Sequence, residues 1–126
     1  STQVHARRTL ERLIKDCRYA SALEITGSDS TSWTITMTTG LDGNHWIWIW
    51  DAQENAITVS DGVSEEVVIE GLTAFVISTS TNSESQISKV TMNWTLEEAS
   101  GNIAGAGQSN PPIDLATSTW IRKFAD

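Results

Sequence analysis

Residues 45–51 read HWIWIWD, which places three of the chain's six tryptophans on alternate positions with two isoleucines between them. In an extended strand successive side chains point to opposite faces, so Trp46, Trp48 and Trp50 share one face while Ile47 and Ile49 share the other. Two readings compete. The tryptophans form a partly exposed platform for a sugar or a neighbouring subunit, or the strand belongs to the core. Leaving either face wet would expose a large apolar area at a cost of about 25 cal/mol per Å². The pattern therefore favours a core strand with a layer over each face, an N-terminal helix on one side and a second layer on the other.

The sequence on both sides keeps the period of two. SWTITMTT (32–39) alternates Trp33, Ile35 and Met37 with threonines, the pattern of a half-buried strand. LDGN (41–44) reads as a hairpin turn. DAQEN (51–55) turns into AITVS (56–60), and DGVSE (61–65) turns into EVVIEGLTAFVIST, which together predict an antiparallel meander. STNSESQ (80–86) connects to the strand ISKVTMNWTL (87–96), GNIAGAGQSNPP (101–112) is a loop, and IDLATSTWIRKF carries the last strand.

Upstream the period changes. STQVHARRTLERLIKDCRYASALEI sets Val4, Leu10, Leu13, Ile14, Cys17, Ala20 and Leu23 at steps of three and four, predicting one amphipathic helix over about residues 2–24, stopped by Gly27. Leu10, Leu13, Ile14 and Cys17 are the residues expected to pack on the sheet. The opposite face carries Arg7, Arg8, Glu11, Arg12 and Lys15, a candidate subunit contact whose plainer reading is a solvated face. No N-cap is evident near Ser1, which fits a helix continuing from further upstream. One helix followed only by strands is an α+β arrangement, the helix laid on antiparallel sheet.

The length, 126 residues, suits a single domain spanning 1–126. The net charge of −8 is unevenly spread. Residues 1–24 hold five bases and three acids, +2, whereas the remainder holds three bases and thirteen acids, −10. An acidic body repels phosphate backbones, so nucleic acid is not an expected partner. The single Cys17 allows no internal disulfide.

Chemistry-bearing patterns are sparse. His5 and His45 have no metal-ligand neighbours at the usual spacing. No G-x-S-x-G elbow occurs, and Cys17 sits in the helix stripe without a base beside it. Glu65-Glu66 and Glu97-Glu98 fall at turn edges, and GNIAGAGQ leads into Ser-Asn-Pro-Pro rather than into a helix, failing as a phosphate cradle. Calcium at Asp42, Asn44 or Asp61 would lack an EF-hand pattern, and the sequon Asn93-Trp94-Thr95 lies inside a strand. The expectation is a protein without catalytic residues, metal or cofactor.

Several stretches taken together resemble a family. ARRTLERLIKDCRYASALEI is similar to the periplasmic half of the long helix of type IV pilins and type II secretion system pseudopilins. IWIWDAQENAITVSDGVSEEVVIEGLTAFVIS, with Gly71, Leu72 and Phe75, resembles the strands of minor pseudopilins of the J type and related minor pilins. SKVTMNWTLEEASG and LATSTWIRKF are similar to the strands that follow, with Arg122-Lys123 where the family commonly ends in Arg-Asn. The resemblance implies a pilin-like fold and a non-enzymatic structural subunit of a type II secretion or type IV pilus-like filament. Its implied partners are other pilin-like subunits, and its implied setting is periplasmic or at the cell surface, anchored in the inner membrane by a helix preceding Ser1. The competing class is a carbohydrate-binding β-domain that uses Trp46, Trp48 and Trp50 as a platform.

Overall fold

HWIWIWD forms the middle strand of a five-stranded antiparallel sheet. The computed structural model describes residues 2–39, 43–97 and 111–125. Within them a helix, α1 (Thr2–Arg18), precedes eight strands: β1 (Ala20–Ser28), β2 (Ser32–Thr39), β3 (His45–Asp51), β4 (Ala56–Ser60), β5 (Glu65–Glu70), β6 (Leu72–Thr81), β7 (Ile87–Leu96) and β8 (Ile113–Trp120). The first five make one sheet in sequence order and the last three make another. The expected turn at 41–44 falls partly outside the described residues, and so does most of the expected loop at 101–112.

Two expectations are corrected. The helix does not run to residue 24: it ends at Arg18, and Ala20–Ser28 is a strand paired antiparallel with β2. Leu23 and Ile25 satisfy a period of two as well as of four, and the β-branched Ile25-Thr26 pair with Gly27 tips the segment to strand. Gly27 lies in that strand at φ +126°, where a Cβ would meet the Ser32 carbonyl oxygen, so it does not act as a helix stop. The α+β, pilin-like class is overturned with it. The protein is predominantly β, two antiparallel sheets with one short helix.

The layering around β3 also differs from expectation. Both α1 and the second sheet lie over the tryptophan face, side by side as one roof. Arg12 of α1 sits over the Trp46 and Trp48 rings, whereas the Trp50 indole donates to the Leu72 carbonyl oxygen at the start of β6, at 2.9 Å. Trp33 on β2 does the same to the Phe75 carbonyl oxygen, at 2.8 Å. Hydrogen bonds of this kind are worth about 1 kcal/mol net each, and here they fix the spacing of the two sheets. Trp50, Phe75 and Trp94 then meet in a chain of edge and tilted ring contacts with centroids 6.0 and 5.6 Å apart.

Ile47 and Ile49, on the other face, are half-buried, with no second layer over them among the described residues. Their cross-strand neighbours are Thr36 with Ser60 and Thr34 with Thr58, short side chains whose methyl and methylene groups screen the isoleucines without another layer. Gly71 marks the crossover between sheets. Its φ is +79°, and a Cβ there would stand 2.8 Å from the Glu97 carbonyl oxygen, so only glycine turns this corner unstrained.

The chain's end clamps the helix's end. The Arg18 Nε–H donates to Thr119 Oγ1 at 2.9 Å, the Arg122 N–H to the Arg18 carbonyl oxygen at 3.0 Å, and Lys123 Nζ to the Ser21 carbonyl oxygen at 3.1 Å. The last carbonyls of α1 have no partners within the helix, and the Arg122 bond supplies one of them.

Candidate functional site

α1 divides cleanly into two faces. Ala6, Leu10, Leu13, Ile14 and Cys17 are buried in the common core. Arg7, Arg8, Glu11, Arg12 and Lys15 are exposed on the opposite side. The periodicity in the sequence places them so: residues three and four apart stack along one side of a helix. The exposed stripe carries four bases against one acid, a local +3 on a chain of net charge −8.

Arg12 differs from its neighbours. Its guanidinium lies 5.5 Å from the Trp46 ring centroid and 5.2 Å from that of Trp48, which fixes the middle of the stripe against the sheet. Beside it is a pocket of about 180 Å³ lined by Arg12, Trp46, Asp61, Ser64, Glu65 and Glu66 among others. The turn on its rim is rigid. Asp61 Oδ1 accepts the Val63 and Ser64 N–H groups, both at 2.9 Å, and the backbone bonds to Ser64 and Val63 hold the Asp61 carboxyl below its usual range. Val63 at the tip is 97% exposed. Two turns before Arg12, His5 Nε2–H donates to the carbonyl oxygen of Val68, another residue lining the pocket, at 2.8 Å, tying the helix to β5.

The three tryptophans of the opening stretch separate. Trp48 and Trp50 are each 1% exposed and lie in the core, out of reach of any ligand, while Trp46 is half-buried at the pocket with the Arg12 guanidinium over its ring. The remaining candidates do not converge. Among the described residues, no group of three or more His, Cys, Asp or Glu side chains could hold a metal ion. Asp42 and Glu98 lie outside the described residues. Burial, with Asp16 nearby, pushes the Cys17 thiol up to about 12, so at neutral pH it is a core hydrophobe rather than a nucleophile.

Sequence reasoning missed the stacking of Arg12 on tryptophan, which joins residues 34 and 36 positions apart. It also missed Trp120, which is 54% exposed on the outer face of the second sheet beneath Lys89 Nζ. The 89/120 pairing arises from the register of β7 with β8, which no local pattern reveals.

No family model, curated protein or solved structure matches the chain. Together with a fold dominated by two antiparallel sheets and one short helix, this overturns the pilin and pseudopilin resemblance.

Proposed function

We propose that the chain is a non-enzymatic structural subunit that assembles with other protein subunits, docking through the outer stripe of α1. The observation that carries the reading is the stripe itself. Arg7, Arg8, Glu11, Arg12 and Lys15 form a basic ridge on a helix whose other face is wholly used by the core, and Arg12 is held in place by two tryptophan rings. A ridge of one charge sign on a body of the other selects acidic partner surfaces and steers their approach. No helix among the described residues is long and apolar enough to cross a membrane.

The test mixes the purified domain with the soluble domains of proteins encoded beside it and follows complex formation by sedimentation. A complex that weakens as salt is added is the expected result. Absence of a complex with every such neighbour would overturn the reading, as would substrate turnover by the domain alone. The carbohydrate alternative keeps one residue of the original platform, Trp46, beside acidic and hydroxyl groups in the pocket. A shift in tryptophan emission on adding sugars, abolished by Trp46→Ala, would decide for it.

A further inference from the structure

The second sheet has one face in the core and one outside. Phe75, Val90, Met92, Trp94 and Leu115 are buried, so by alternation the side chains between them on β6, β7 and β8 point outward. Directly paired residues of antiparallel strands share a face. The register therefore sets Ser80, Lys89 and Trp120 in one outward row and Ser78, Thr91 and Ser118 in the next. Asn93 stands in a third row, between Val76 and Ala116, and is exposed.

Two properties separate this face from an ordinary solvated surface. It is almost uncharged, on a chain that carries sixteen acids: Lys89 stands in the first row and Asp114 in a fourth, and the rows between hold hydroxyls, an amide and two small apolar side chains. It also holds Trp120, which is 54% exposed where the chain's other five tryptophans are buried or half-buried. The Lys89 ammonium, 5.1 Å from the centre of the ring, fixes the indole at the end of the rows.

We propose that this face binds an extended, neutral glycan chain, with Trp120 as its platform. A sugar ring has an apolar C–H face and a rim of hydroxyls that both donate and accept. An exposed indole takes the first. Ser78, Thr91, Ser118 and Asn93 supply donors and acceptors for the second, and Lys89 adds a donor. Other occupants fit less well. The net charge of −8 repels an anionic glycan or a phosphate-bearing surface. A protein partner draws on apolar anchors clustered at the centre of a patch, whereas Trp120 stands alone at its end. The three rows span about 10 Å across the strands and about 13 Å along them, an open surface that a ribbon-like β-1,4-linked chain follows and a coiled α-1,4-linked one does not. This contact uses neither the α1 stripe nor Trp46, and salt tells it apart from the stripe: a neutral ligand is indifferent to salt, while the α1 contact weakens.

Calorimetric titration of the 126-residue chain with cellohexaose, mannohexaose and chitohexaose, at low and at high salt, tests the proposal. The expected result is binding of at least one of the three with an affinity that salt leaves unchanged, and binding of α-linked maltohexaose weaker by about tenfold or more. Trp120→Ala alters an exposed side chain and should weaken binding about tenfold or more at an unchanged melting temperature. Asn93→Ala removes the central amide and should weaken it about threefold, a test that stands even if the Trp120 variant fails to fold. Arg8→Glu with Lys15→Glu should leave sugar binding as it is. Failure to bind any of the three β-linked hexasaccharides would overturn the proposal, and so would maltohexaose binding as tightly as they do. Binding that Trp46→Ala abolishes and Trp120→Ala leaves intact would overturn it as well, placing the sugar in the pocket beside α1.

Discussion

Trp48 is one of the three tryptophans that are fully buried. It is enclosed by α1 and the sheet, and Trp48→Ala should destabilise the domain by roughly 3–5 kcal/mol, measured by denaturant unfolding, as for other buried aromatics. Its indole N–H, like that of Trp94, has no hydrogen-bond partner among the described residues. A buried orphan donor costs about 1–3 kcal/mol, so Trp48→Phe recovers that cost and should lose less than half of what Trp48→Ala loses. Cys17 gives a pH signature. Its folded-state value lies above that of the unfolded chain, so its contribution is complete below the ordinary 9.0 and is lost as pH rises from there toward about 12. Stability should fall with a slope of up to about 1.4 kcal/mol per pH unit, and Cys17→Ala should remove that part of the slope. Burial of this kind was legible in the sequence for the leucine stripe, because helical spacing sorts side chains by face. The partition of Trp46 from Trp48 and Trp50 was not, since it depends on where along β3 the helix ends and β6 begins.

At the scale of elements, α1 is too short to persist alone and is held by what it covers. Leu13→Ala should cost roughly 2–5 kcal/mol; a melting temperature unchanged by it would contradict the docking of helix on sheet. β2 and β4 followed from alternation of apolar and polar residues, whereas β3, apolar on both faces, was legible as a strand but not in what covers each face. β1 was not legible as one, because ASALEITGS fits periods of two and of nearly four at once, and only pairing with β2 decides between them. The division of EVVIEGLTAFVIST between two sheets depended on Gly71. Its sequence context marks a turn, whereas the change of sheet comes from the close approach of Glu97, whose N–H donates to the Gly71 carbonyl oxygen at 2.9 Å.

At the scale of the molecule, the order of helix and strands suggested a family that the fold does not support. Element order is a weak constraint, since a helix followed by a meander can be roofed by the helix alone or by the helix together with a second sheet. The aromatic chain Trp50–Phe75–Trp94 selects the second arrangement. What the sequence did convey at this scale was charge: a basic ridge at the start and an acidic remainder. The central claim is that the ridge is a docking surface. Arg8 and Lys15 are exposed and make no contact with the tryptophan rings, so Arg8→Glu with Lys15→Glu reverses charge while leaving Arg12 in place. Calorimetric titration of the parent and this variant against a neighbouring subunit is the most direct measurement. The account predicts a loss of affinity of tenfold or more, about 1.4 kcal/mol, at an unchanged melting temperature; equal affinity for the two proteins would contradict it.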